Sequence, residues 1–128
     1  MGRGRIWRVV HGPAPTRRPA APSLSKATPA QLVQTLSNPK GRWRDTAQRL
    51  LVERADKSVV PSLKTLAGNA PDWRTRLHAL WTLDGLAAAT PDVVKGALTD
   101  KNAQVRAAAV RIASRDLAPA EVAEAVRS

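Results

Sequence analysis

Val105-Arg106-Ala107-Ala108-Ala109-Val110-Arg111-Ile112-Ala113 is one of three nine-residue stretches that align without gaps. The others are Trp43-Arg44-Asp45-Thr46-Ala47-Gln48-Arg49-Leu50-Leu51 and Thr75-Arg76-Leu77-His78-Ala79-Leu80-Trp81-Thr82-Leu83. In each, an Arg is followed three residues later by Ala, and four further on by an apolar residue. Arg44 precedes Arg76 by 32 residues and Arg76 precedes Arg106 by 30, and Ala47, Ala79 and Ala109 keep those intervals. Self-similarity at this period marks a repeated supersecondary unit, so it outranks any local reading of the chain.

A shorter apolar segment lies ahead of each Arg stretch: Leu32, Val33 and Leu36, then Val59, Leu63 and Leu66, then Val93, Val94, Ala97 and Leu98. Their three-to-four-residue spacing is helical. Each unit is therefore a helical hairpin, and neither helix can bury its apolar stripe without the next hairpin. The expected architecture is an all-α solenoid of about three hairpins at about 28–54, 58–87 and 90–114, followed by a partial unit at 118–128. Ala47, Ala79 and Ala109 are structural positions, where small side chains let helix axes approach closely.

The helix boundaries carry their own chemistry. Thr28-Pro29 and Thr90-Pro91 place a hydroxyl ahead of a Pro at the first helical position, and Gln31 can complete a capping box with Thr28. Asp72 and Asp100 read as N-caps, while Gly68-Asn69 and Gly85 read as stops.

Upstream, alternation from Arg5 to Val10 reads as a short strand within residues 1–10. Residues 11–27 contain Pro13, Pro15, Pro19 and Pro22 among Ala, Ser and Arg, which is the composition of an extended linker.

Composition excludes several classes of function. The 128 residues include no Cys, which removes disulfides, thiolate metal sites and C-x-x-C-H haem attachment from this stretch. His11 and His78 are the only histidines, and neither has a second ligand at metal-binding spacing. No catalytic motif occurs, so neither an enzymatic activity nor a cofactor is expected of these residues. No apolar run reaches membrane-spanning length, and the N-terminus lacks the apolar segment of a signal peptide.

The formal charge of +11 is unevenly placed. Residues 1–44 hold nine Lys or Arg and no acid, whereas residues 45–128 hold twelve bases and ten acids. Nucleic acid or another polyanion is therefore the lesser expectation for a partner of the repeats, and protein the greater. Arg42, Trp43, Trp73, Arg74 and Trp81 form the candidate interaction surface, because Trp and Arg dominate protein interfaces. Arg44, Arg76 and Arg106 recur at the repeat period, as a structural ladder to Asp or carbonyl groups would.

Asp100 followed by Val105-Arg106, Ala109 and Ile112 resembles the HEAT-repeat consensus, which implies a HEAT-like solenoid across residues 28–128 and a scaffolding or protein-binding role. A narrower resemblance rests on Gly4-Arg5-Ile6-Trp7-Arg8-Val9, on Ser37-Asn38-Pro39-Lys40-Gly41-Arg42 continuing to Leu51, and on Arg76 to Leu83. Together these are similar to the segment joining a β-propeller to HEAT repeats in large membrane-bound dehydrogenases of planctomycete and verrucomicrobial bacteria. That resemblance implies an exported parent with a sugar-dehydrogenase-like propeller before the repeats and a cytochrome c-type haem domain after them. The propeller would be a protein partner, and residues 4–10 its closing strand. No propeller body and no haem-attachment motif accompany the repeats here, so no redox residue is carried over.

Overall fold

The computed structural model describes Gly12 and residues 23–116. The strand expected at residues 4–10 and the partial repeat at 118–128 lie outside the described residues. Six α-helices follow in order: α1 (Pro29–Thr35), α2 (Gly41–Arg54), α3 (Val60–Asn69), α4 (Trp73–Gly85), α5 (Pro91–Leu98) and α6 (Ala103–Asp116). They pair as three hairpins. α2, α4 and α6 pack successively to form one layer, while α3 and α5 pack in the other, with α1 joined through the short 3-10 turn Lys57–Val59. The all-α solenoid read from the repeats is the fold.

Local chemistry sets the starts. Thr28 Oγ1 accepts from Gln31 N–H at 3.2 Å and Gln31 Oε1 accepts from Thr28 N–H at 2.9 Å, a complete capping box ahead of Pro29. Thr90 occupies the same position before Pro91, but its side chain makes no capping bond. Asp72 caps α4 through Arg74 N–H. Asp100 does not cap α6. Asn102 fills that position, with Oδ1 accepting from Gln104 N–H at 2.8 Å, and Asp100 sits two residues ahead, where its Oδ1 accepts from Asn102 N–H at 2.8 Å.

The chain enters the fold through a 3-10 turn, Leu24–Lys26, within the stretch whose composition reads as linker. Leu24 and Ala27 pack against the first core. Arg54 at the end of α2 holds this turn by donating to Ser25 O at 2.8 Å and Ala27 O at 2.5 Å.

Two apolar clusters share α4 as their common wall. The first gathers Leu32, Leu36, Leu51, Leu63 and Leu83, and the second Leu80, Val94, Val105 and Ile112. Each fully buried Leu contributes roughly 1.5–3 kcal/mol by leaving water. Ala47, Ala79 and Ala109 are all fully buried.

Gly85 is needed for proximity between hairpins. A Cβ there would lie 2.6 Å from Val52 Cγ2 on α2. Gly85→Ala is therefore expected to lower unfolding free energy by about 1–3 kcal/mol through overpacking. Val52→Ala in the same chain should recover most of that loss. A denaturant series on both single variants and the double variant reads the coupling, and purely additive effects would refute the contact as the cause.

Candidate protein-binding surface

The three periodic arginines perform the same task at the base of their helices. Arg44 Nη1 donates to Asn38 O at 2.7 Å and Pro39 O at 3.0 Å. Arg76 Nη1 donates to Ala70 O at 2.7 Å and Pro71 O at 3.2 Å. Arg106 Nη1 donates to Asp100 O at 2.8 Å and Lys101 O at 3.1 Å. Each guanidinium clamps the carbonyls six and five residues before it, which satisfies turn acceptors that the helices leave open.

Among the described residues only Arg76 also grips the next hairpin. Its Nε and Nη2 donate to Asp100 Oδ2 and Oδ1 at 2.7 and 2.9 Å, a bidentate pair with both side chains mostly buried. The guanidinium holds the Asp100 carboxyl below its ordinary value, and the carboxylate in turn raises Arg76. Asp100 lies six residues before Arg106, and the residue six before Arg76 is Ala70. In the register where Asp100 serves Arg76, the second hairpin thus offers Arg44 an alanine, and Arg44 Nε is buried without a hydrogen-bond partner.

The junction between the first two hairpins is held instead by His78. Its Nδ1 lies 2.7 Å from Gln48 Oε1, so Nδ1 carries the proton, and Nε2 faces Asp45 Oδ1 at 3.8 Å. Burial is the main influence lowering the His78 pKa below 6.5, and Asp45 opposes it. At the second junction, Arg115 on α6 pairs with Asp84 on α4.

The tryptophans do not form one patch. Arg42 stacks over Trp43 with its guanidinium carbon 5.5 Å from the ring centroid, and Arg74 over Trp73 at 4.8 Å. Trp73 and Trp81 pack against the second core, whereas Trp43 packs against neither cluster. Counted from the clamping arginine, Trp43 is one residue before and Trp73 three before, so the helix turns them to different sides.

Trp81 instead lines an open groove of about 430 Å³ between α2 and α4, with Gln48, Arg49, Val52, Glu53 and Asp84. The sequence reading omitted these α2 residues and Asp84. Two signals were present: the helical spacing of Gln48, Val52 and Arg49, Glu53 on one face, and the 31-residue separation of Asp84 from Arg115, close to the repeat period. Among the described residues no group of three or more His, Asp or Glu could hold a metal ion, and no helix is long and apolar enough to cross a membrane.

This geometry defines a class, the helical-hairpin solenoids whose turns are clamped by a periodic arginine. The HEAT-repeat family matches residues 29–114, and the chain belongs to that family. No curated protein matches the chain.

Ala70→Asp places a carboxylate in the register of Asp100 and is expected to stabilise the fold by about 1 kcal/mol, by satisfying Arg44 Nε. Asp100→Ala should cost about 2–3 kcal/mol, because Arg76 is left half-paired in a mostly buried site. Urea midpoints measure both, and destabilisation by Ala70→Asp would refute the register. For His78, the unfolded chain binds the proton more tightly than the folded one. The stability from its neutral form is complete above about pH 6.5 and is lost as pH falls toward the lower folded value. Thermal midpoints between pH 7.5 and 5 should show this step in the native chain and lose it in His78→Gln.

Proposed function

We propose that the chain is a non-catalytic protein-binding HEAT module whose partner lies across the layer of α2, α4 and α6, anchored on Trp81. The observation that carries this reading is the indole itself, partly buried in an open groove and flanked by Arg49, Glu53 and Asp84. An aromatic anchor with a polar rim of both charges is how protein interfaces concentrate binding energy. A phosphate backbone is less well served. Arg44, Arg76 and Arg106 spend donors on their own turns, and the groove sets Glu53 and Asp84 beside Arg49.

We also propose, on the sequence resemblance, that the module belongs to a larger exported dehydrogenase, where it packs against a β-propeller and spaces it from a haem domain. Redox chemistry would then reside in those domains.

A photo-crosslinking amino acid at Arg49, in the groove, tests the binding face against one at Lys64, on α3 in the other layer. In source cells the Arg49 position should yield an adduct with one defined protein surface, and Lys64 should not. Equal labelling at both positions, or none at Arg49, would sink the groove reading. Tryptic mapping of the same polypeptide decides the parent: peptides running upstream into propeller sequence support the dehydrogenase, and a mass near 13.7 kDa removes it.

A further inference from the structure

The second hairpin shows what this fold does with an outward face. On α4, Trp73, Leu77 and Leu80 are covered by α5 and α6 through Val94, Val105, Ala108 and Ile112, and Leu80 is fully buried. Beside them Arg76 hands its free edge to Asp100 in the covering hairpin. Thirty residues on, the same stripe of α6 is Ala103, Ala107 and Val110, with Arg106 beside it. Val110 is 44% exposed and is the one exposed large hydrophobic among the described residues. Arg106 is clamped by the same two carbonyl bonds as Arg76, while its Nε and Nη2 have no partner among the described residues.

We propose that this face of α6 is a docking face for a helical hairpin of a partner protein whose inter-helix turn carries an Asp or Glu. A guanidinium fixed through Nη1 offers Nε and Nη2 as a planar fork, and the group that fills a fork on both prongs is a carboxylate. The apolar stripe at helical spacing beside it fits a helix, and Ala103 and Ala107 leave room for large side chains. Charge agrees: Lys101, Arg106 and Arg111 are exposed on the last turn and helix, which favours an acidic partner. A second copy of this chain fits less well. Its first hairpin offers the neutral Asn38 in the register of Asp100, and its α2 is already packed by the Leu24–Lys26 turn. This docking face does not depend on the Trp81 groove, so either can fail alone.

The test is a photo-crosslinker at Val110 of the full chain in source cells, with the adduct mapped by mass spectrometry. The expected adduct lies in another protein, on a helix beside a turn bearing Asp or Glu. Arg106→Lys, which keeps the charge but removes the fork, should reduce its yield at least about tenfold. Ala107→Glu, an exposed change that leaves the clamp intact, should do the same and guards against an Arg106 variant that fails to fold. An adduct to a second copy, to residues 117–128 of the same chain, or to a surface without an acidic turn overturns the proposal. So does an adduct unchanged by both variants, or no adduct at all.

Discussion

One guanidinium nitrogen donating to two carbonyl oxygens of its own turn is the constraint on which the solenoid's regular step depends. A turn between two helices leaves acceptors that water would otherwise solvate, and the clamping Arg satisfies two of them at once. Lys could neutralise charge there but would lack the planar fork that remains on the other edge. That remaining edge matters most, because the clamp orients it toward the following hairpin. At Arg76 a purely local interaction thereby sets where the next unit places its carboxylate.

The two junctions exploit this device unequally. Between the second and third hairpins, Arg76 with Asp100 and Asp84 with Arg115 form an ionic seam beside the second apolar cluster. Between the first and second, Ala70 removes the carboxylate, and the seam becomes a neutral contact of His78 with Gln48 and a close approach of Gly85 to Val52. A fold that looks periodic in its backbone is therefore heterogeneous in its chemistry. Acid acts first on the His78 junction, because histidine titrates well above a carboxylate already held low by Arg76.

The periodic part of this design is legible in sequence, because Arg44, Arg76 and Arg106 mark the repeat and Thr28 with Gln31 spells out its first cap. The less legible part follows from residue types that give no warning. α2 ends in a left-handed residue at Ala55, with φ of 51°, and Ala87 after α4 has φ of 53°. Glycine normally announces such a position, yet both left-handed residues here are alanines, while Gly85 ends α4 as its type suggests and also makes room for Val52. Asp100 resembles an N-cap by composition, and only counting back from Arg106 separates it from Asn102. The tryptophans mislead for the same reason: Arg42-Trp43 and Trp73-Arg74 look alike as pairs, yet their offsets from the clamp differ by two residues, about 200° around a helix.

Stability and recognition consequently occupy different positions of the same repeat. Residues that keep the register, such as Ala47, Ala79 and Ala109, are fully buried and carry no information for a partner. Trp81 breaks the register where it is exposed to one: its counterparts are Arg49 on α2 and Arg111 on α6, both exposed cations. On the proposed binding face, a protein lying across the layer would meet charge, then an indole, then charge, and the indole is the step that offers substantial apolar area. Because Trp81 sits on α4, whose inner faces wall both cores, the proposed anchor is held by an element packed on two sides. Binding there would require little ordering of the site, which is the condition under which a single aromatic side chain can dominate an interface.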